Sequence, residues 1–137
     1  MLSDKMRIKL VQAAAKVRDR AYSPYSNYPV GSALLAESGC IYEGVNIENA
    51  AFPTSICAER VALFKAVSEG ERKFKAIAVV TSNGGTPCGS CRQALSEFGL
   101  DIQVIIADIE GRVLSEMSIS DLLPGAFNPD DLVSNKD

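Results

Sequence analysis

Apolar residues near the start of the chain recur at helical spacing, at Ile8, Val11, Ala14, Ala15 and Val17. This predicts an amphipathic helix over 5–22. The pattern stops in Ser23-Pro24-Tyr25-Ser26-Asn27, where the proline disfavours helix just before it. Two strand-like runs follow, at 30–36 and 40–47. Only Glu37-Ser38-Gly39 separates them, which is short enough for a hairpin and so for an antiparallel pair. Helical spacing returns over 58–69, with Val61, Ala62, Phe64 and Val67 as the expected buried stripe and Gly70 placed to end it.

The second half reads differently. Ala76-Ile77-Ala78-Val79-Val80 and Val104-Ile105-Ile106-Ala107 are continuous apolar runs, the pattern of interior strands covered on both faces. Between them lie a loop, Ser82-Asn83-Gly84-Gly85-Thr86-Pro87, and a helix expected over 89–98. A last strand, at an edge, is expected over 112–117. Ser118-Ile119-Ser120-Asp121 resembles a capping box that opens a short helix ending before Pro124. One helix, two strands, then strands alternating with helices imply an α/β protein, a three-layer α/β/α arrangement with a mixed five-stranded sheet. With 137 residues and no repeat or interdomain linker, 1–137 reads as a single domain.

Composition narrows the function more than the fold. At 47% hydrophobic and 23% charged residues, the chain is ordinary for a globular protein. No apolar run approaches the roughly 18 residues of a membrane span. The start, Met1-Leu2-Ser3-Asp4-Lys5-Met6-Arg7, mixes charges and leads into a helix rather than an apolar leader, so a cytoplasmic location and no membrane partner are expected. The net charge of −3 and the lack of a Lys/Arg run favour a small, weakly charged substrate over a nucleic acid.

Two segments carry the chemistry: Cys57-Ala58-Glu59 and Pro87-Cys88-Gly89-Ser90-Cys91. They offer three thiols and one acid. Zinc takes four ligands, so Cys57, Cys88 and Cys91 would leave one position open to water, the mark of a catalytic site. Cys57 and Cys88 each fall at a predicted helix start, where partial positive charge favours thiolate. Three thiolates on Zn²⁺ leave a net charge of −1, so a compensating cation is expected. Arg60 and Arg92 are the candidates, and Arg60 can donate to the ligand sulfurs. Glu59, two residues from a ligand, can take a proton from water and return it to a leaving group. Cys40, in Gly39-Cys40-Ile41-Tyr42, reads as a small buried hydrophobe. Two other readings stay open on spacing alone. One is a redox pair at Cys88 and Cys91. The other is a noncatalytic zinc module, for which the only spare thiol is Cys40, since the chain has no histidine.

Cys57-Ala58-Glu59-Arg60 with Pro87-Cys88-Gly89-Ser90-Cys91-Arg92 resembles the zinc nucleoside deaminases, whose three-cysteine variant keeps a glutamate that is not a ligand. Tyr25-Ser26, Val30-Gly31-Ser32-Ala33-Leu34-Leu35, Asn46-Ile47-Glu48-Asn49-Ala50-Ala51-Phe52 and Leu122-Leu123-Pro124-Gly125-Ala126-Phe127 are similar to the short, homotetrameric cytidine deaminases. The likeness spans residues from about 7 to 128. It implies one Zn²⁺ per subunit, and conversion of cytidine or 2′-deoxycytidine to uridine or 2′-deoxyuridine plus ammonia, in pyrimidine salvage. Water activated at zinc would add to C4 of cytosine, with Glu59 protonating N3 and then the departing amine. The Ala58 N–H would hold the pyrimidine O2, and Asn46 and Glu48 the ribose 3′-hydroxyl. Tyr28 stands where the family commonly has a phenylalanine flanking the base. Phe127, with Ala50 and Phe52, would reach a neighbouring subunit's site in a homotetramer. Within the same fold, another cytosine compound or a base in RNA is the competing substrate.

Overall fold

A computed structural model describes residues 2–133 of the chain. Helix α1 (Asp4–Val17) is capped by the Ser3 hydroxyl, which accepts from the Met6 N–H at 3.1 Å. It ends earlier than expected, in a 3₁₀ turn at Arg18–Arg20. Its buried side is Leu10, Val11, Ala14 and Val17, and Ile8 faces outward instead. The hairpin is present as β1 (Gly31–Ala36) and β2 (Ile41–Val45), paired antiparallel with Leu34 opposite Tyr42. Cys40 is a correction to the sequence reading: it sits exposed at the hairpin turn, not in the core. Gly39 takes a φ of 97° there, and the tight reversal turns the next side chain outward.

Helix α2 (Ala58–Ser68) follows, then β3 (Phe74–Thr81), α3 (Gly89–Ser96), β4 (Gln103–Asp108) and β5 (Val113–Ser118). Two short helices close the described chain, α4 (Ile119–Leu122) and α5 (Pro129–Val133). α4 carries the expected capping box, with Ser118 and Asp121 each accepting the other's backbone N–H. No reading of the sequence had anticipated α5.

The sheet runs β2-β1-β3-β4-β5. Only β3 and β4 are parallel, because α3 carries the chain back across the sheet between them. Side chains alternate along each strand, so the sheet has two different faces. One face presents Ala33, Leu35, Ala76, Ala78, Val80, Ile105 and Ala107 to α1. Its many alanines let that helix lie close. The other face presents Leu34, Ile77, Val79, Val104 and Ile106 to α2, α3 and α4. The result is the expected three-layer α/β/α arrangement with a mixed five-stranded sheet.

The inner side of α2 differs from expectation. Ala58, Glu59, Ala62, Leu63 and Ala66 are buried, while Phe64 is 48% exposed. The reason lies in β2. A Cβ on Gly44 would collide with the Ala58 carbonyl and come within 2.6 Å of the Ala62 nitrogen. The strand therefore packs directly on Ala58 and Ala62, and Phe64 is left outside. The Ser32 hydroxyl also donates to the Ala58 carbonyl at 2.8 Å. These contacts fix the first turn of α2, where the chemistry-bearing residues lie.

Candidate metal centre

Cys57 and Cys88 are the N-cap residues of α2 and α3, both in extended conformation, and neither side chain caps its own helix. Their sulfurs turn toward each other instead, 3.6 Å apart, and Cys91, one turn into α3, lies 3.5 Å from Cys88. All three sulfurs fall within 4.8 Å of one another. Tetrahedral zinc with Zn–S bonds near 2.3 Å needs ligand sulfurs about 3.8 Å apart. The donor set fits that ion. Cys40 does not join it, so among the described residues no fourth thiol closes the site.

The electrostatics suit thiolate ligands. The Cys57 thiol is drawn down to about 5 by a hydrogen bond from Cys91, against the effect of burial, with help from Arg60 and Cys88. Cys91 is driven up, because it donates to Cys57 and is buried. Metal binding must displace such protons. Arg60 Nη2 donates to Cys57 Sγ at 3.5 Å, and the guanidinium is raised above its ordinary pKa first by that contact. Its Nε is buried with no hydrogen-bond partner among the described residues. The cation is thus committed to the sulfurs. Arg92 does something else. It donates to the Pro87 and Leu122 carbonyls, each at 2.8 Å, and to Thr86 Oγ1 at 3.1 Å. It ties the loop before Cys88 to α4.

Glu59 is 4% exposed. Burial pushes its carboxyl up to about 7, with its own N–H pulling the other way, Cys57 adding to the rise and Arg60 opposing it. A carboxyl poised there can both accept and release a proton near neutral pH.

Above the sulfurs lies a pocket of about 290 Å³, at the small end of ligand cavities. Cys57, Ala58, Glu59 and Cys88 line its floor, and Tyr28, Asn46 and Glu48 its walls. The Ala58 N–H, in the first turn of α2, has no acceptor within the helix. Asn46 is 9% exposed and ties its amide to backbone on both sides, accepting from the Val30 N–H and donating to the Tyr28 carbonyl, both at 2.9 Å. Glu48 accepts from the Tyr25 and Ser26 N–H groups at 3.0 and 3.1 Å and from the Ser26 hydroxyl. The Ser26 hydroxyl first, then those N–H groups, hold its carboxyl below its ordinary pKa despite some burial.

The other expected contacts fall outside this cavity. Ala50, Phe52 and Phe127 do not line it, and all three are exposed. Phe52 meets Tyr25 edge-on at 5.5 Å and lines an adjoining hollow that shares Ser26, Glu48 and Ser55 with the pocket. Thr81, Gly85 and Thr86 line the pocket without having been singled out. The signal for them was the C-terminal end of an interior strand, where α/β sheets bind ligands.

Residues 4–107 match the cytidine and deoxycytidylate deaminase zinc-binding region. The chain belongs to this family. Among curated relatives of the family, the cytidine deaminase of Sporosarcina psychrophila is 50% identical over 127 residues, covering 90% of this chain and 93% of that one. The cytidine deaminase of Halalkalibacterium halodurans is 46% identical over 129 residues, covering 92% and 97%. The crystal structure of cytidine deaminase from Burkholderia pseudomallei superposes with a TM-score of 0.83 at 42% identity, covering 92% of this chain and all (100%) of that one. As a member of this zinc-binding family with three converging cysteines, the chain takes zinc as its cofactor.

Proposed function

We propose that this chain is a cytidine deaminase, which hydrolyses cytidine and 2′-deoxycytidine to uridine and 2′-deoxyuridine with release of ammonia. One observation carries the reading: a buried carboxyl, Glu59, beside three metal-competent sulfurs at the floor of a nucleoside-sized pocket. Cys57, Cys88 and Cys91 would hold the ion. When bound, zinc supplies a Lewis acid that makes water acidic enough to react near neutral pH.

The chain's own groups do the rest. Glu59 takes one proton from the water that adds to C4 and passes it to N3. It then takes the remaining proton from the new C4 hydroxyl and delivers it to the amino nitrogen, so that the C4–N bond breaks, ammonia leaves and C4 becomes a carbonyl. The Ala58 N–H donates to the pyrimidine O2. Asn46 keeps one N–H and one lone pair beyond its backbone bonds, and with Glu48 it holds the ribose 3′-hydroxyl. Tyr28 flanks the base. Arg60 stays beside the sulfurs and offsets their charge.

A free nucleoside fits better than its 5′-phosphate. Among the described residues no lysine or arginine lines the pocket, and Glu48 is held ionised there. A phosphate would meet an anion with no cation to balance it. The same argument disfavours a polynucleotide. We read 1–137 as one catalytic domain acting in cytoplasmic pyrimidine salvage as a homotetramer. Phe52 and Phe127, 66% and 56% exposed, then reach neighbouring sites together with Ala50.

The substrate assignment is tested by following the absorbance change of deamination, with ammonia release, for cytidine, deoxycytidine, CMP and a cytosine antibiotic. Turnover of the two nucleosides well above CMP is the expected outcome. A preference for CMP or for the antibiotic would overturn it. Light scattering that gave a stable monomer would remove the tetramer.

A further inference from the structure

The loop joining β3 to α3 leads straight into Cys88, and its Gly85 and Thr86 line the pocket together with Asn46 and Glu48. Its far end is held by Arg92, through Pro87 and Thr86. Its near end is held differently. The Tyr28 hydroxyl donates to Asn83 Oδ1 at 2.6 Å. The same oxygen receives a longer contact from Thr81 Oγ1 at 3.4 Å, and that hydroxyl accepts the Gly85 N–H at 2.9 Å. Gly85 lies against the phenol. A Cβ there would stand 2.5 Å from the Tyr28 oxygen. Gly85 is not in the left-handed region, so space beside the phenol rather than backbone conformation favours glycine at this point.

Tyr28 is itself anchored by Ser26 and Asn46. Asn46 Nδ2 donates to its carbonyl at 2.9 Å, and its N–H donates to Ser26 Oγ at 3.1 Å, the hydroxyl that in turn donates to Glu48. A continuous chain of hydrogen bonds therefore runs from the Glu48 wall, through Tyr28, to the loop that carries a sulfur ligand.

We infer that Tyr28 is a positioning residue: its hydroxyl latches Asn83 over Gly85 and so holds the 82–87 loop against the mouth of the pocket. The ring alone would flank a base equally well. The hydroxyl acts on the loop, and through the loop on the width of the cavity and on the approach to Cys88. This rests on the deaminase reading for its kinetic consequence, but the latch itself does not depend on it.

The test uses the zinc-loaded protein and three substitutions. Tyr28→Phe keeps the ring and removes the latch. It is expected to raise KM for cytidine about threefold to tenfold, the worth of one hydrogen bond, with kcat changed less than about twofold. Amide hydrogen exchange over 82–87 rises by a similar factor, while exchange in α1 stays at the parent rate. Asn83→Ala reproduces both effects, and the double variant is no worse than either single one. Gly85→Ala impairs the parent more than it impairs the Tyr28→Phe background, because loss of the hydroxyl makes room for the methyl. Parent-like KM and loop exchange in Tyr28→Phe, or effects of Tyr28→Phe and Asn83→Ala that simply multiply, would overturn the latch. If the parent fails to deaminate cytidine, the function falls, and the exchange of 82–87 still decides the latch.

Discussion

The floor of the pocket and its outer rim are built on different terms. At the floor, two helix N-termini converge, Cys88 lies 3.6 Å from Cys57 and 3.5 Å from Cys91, Arg60 donates to Cys57, and Glu59 is buried in the same helical turn. Ala50, Phe52 and Phe127, the outer contacts expected from the sequence, are exposed and line nothing in the cavity. Bond-making chemistry needs groups fixed to a fraction of an ångström, and rigid helix starts supply that. Grip on the sugar and base tolerates more play, and can be shared between chains.

The comparison breaks first if the floor does not carry the reaction. Glu59→Gln keeps the shape and removes the proton carrier, so kcat should fall by roughly 10²–10⁴ while bound zinc stays at the parent level. Near-normal turnover would show that some other group moves the proton. Arg60→Gln should act less, about 10- to 100-fold in activity or zinc affinity, because it removes only the cation beside Cys57. Competition with a colorimetric chelator measures the affinity arm.

At the rim, Phe127→Ala should raise KM by about tenfold, the scale of one lost aromatic stack on a base, and leave kcat nearly unchanged. A mixing experiment sharpens the point. Chains carrying Glu59→Gln have a dead floor and a native Phe127; chains carrying Phe127→Ala have the reverse. Co-assembly should restore a low-KM fraction of sites if the ring is supplied by a neighbour. Mixed samples that equal the sum of their parts would show that the ring is not supplied by a neighbour.

The smallest effect concerns stability. Burial raises the Glu59 carboxyl from its ordinary 4.5 to about 7. An acid with a raised folded pKa costs nothing below its unfolded value, and destabilises the fold increasingly as pH rises between the two. Protein stripped of zinc should therefore melt a few degrees lower than its Glu59→Gln variant at about pH 8, with the difference vanishing near pH 4. Cys57 titrates in both proteins, and its charge, which adds to the rise of Glu59, is part of the measured difference. Parallel melting curves would mean that Glu59 is not buried as a charged group.

Much of the fold and of the floor was legible in the sequence. Continuous apolar runs marked β3 and β4 because those strands are covered on both faces, and the Ser118 capping box was visible as spacing alone. The convergence of the three cysteines was legible because metal ligands need fixed residue types at fixed helical offsets, and Glu59 two residues on fell at the same helix start. What spacing could not show was tertiary. The buried side of α2 was set by Gly44 pressing on Ala58 and Ala62, a contact 14 and 18 positions away in the chain. Cys40 was apolar in local pattern but fell at a turn. Arg92 looked like Arg60 in its placement beside a motif, yet its donors go to Pro87, Thr86 and Leu122. The Tyr28–Asn83 bond joins residues 55 apart, and no local signal foretells it.

The most direct measurement is a metal count on active protein alongside cytidine turnover, before and after chelation. The account predicts one zinc per chain, loss of turnover when the metal is withdrawn, and its return when zinc is restored. Full turnover from protein that holds no transition metal would contradict it.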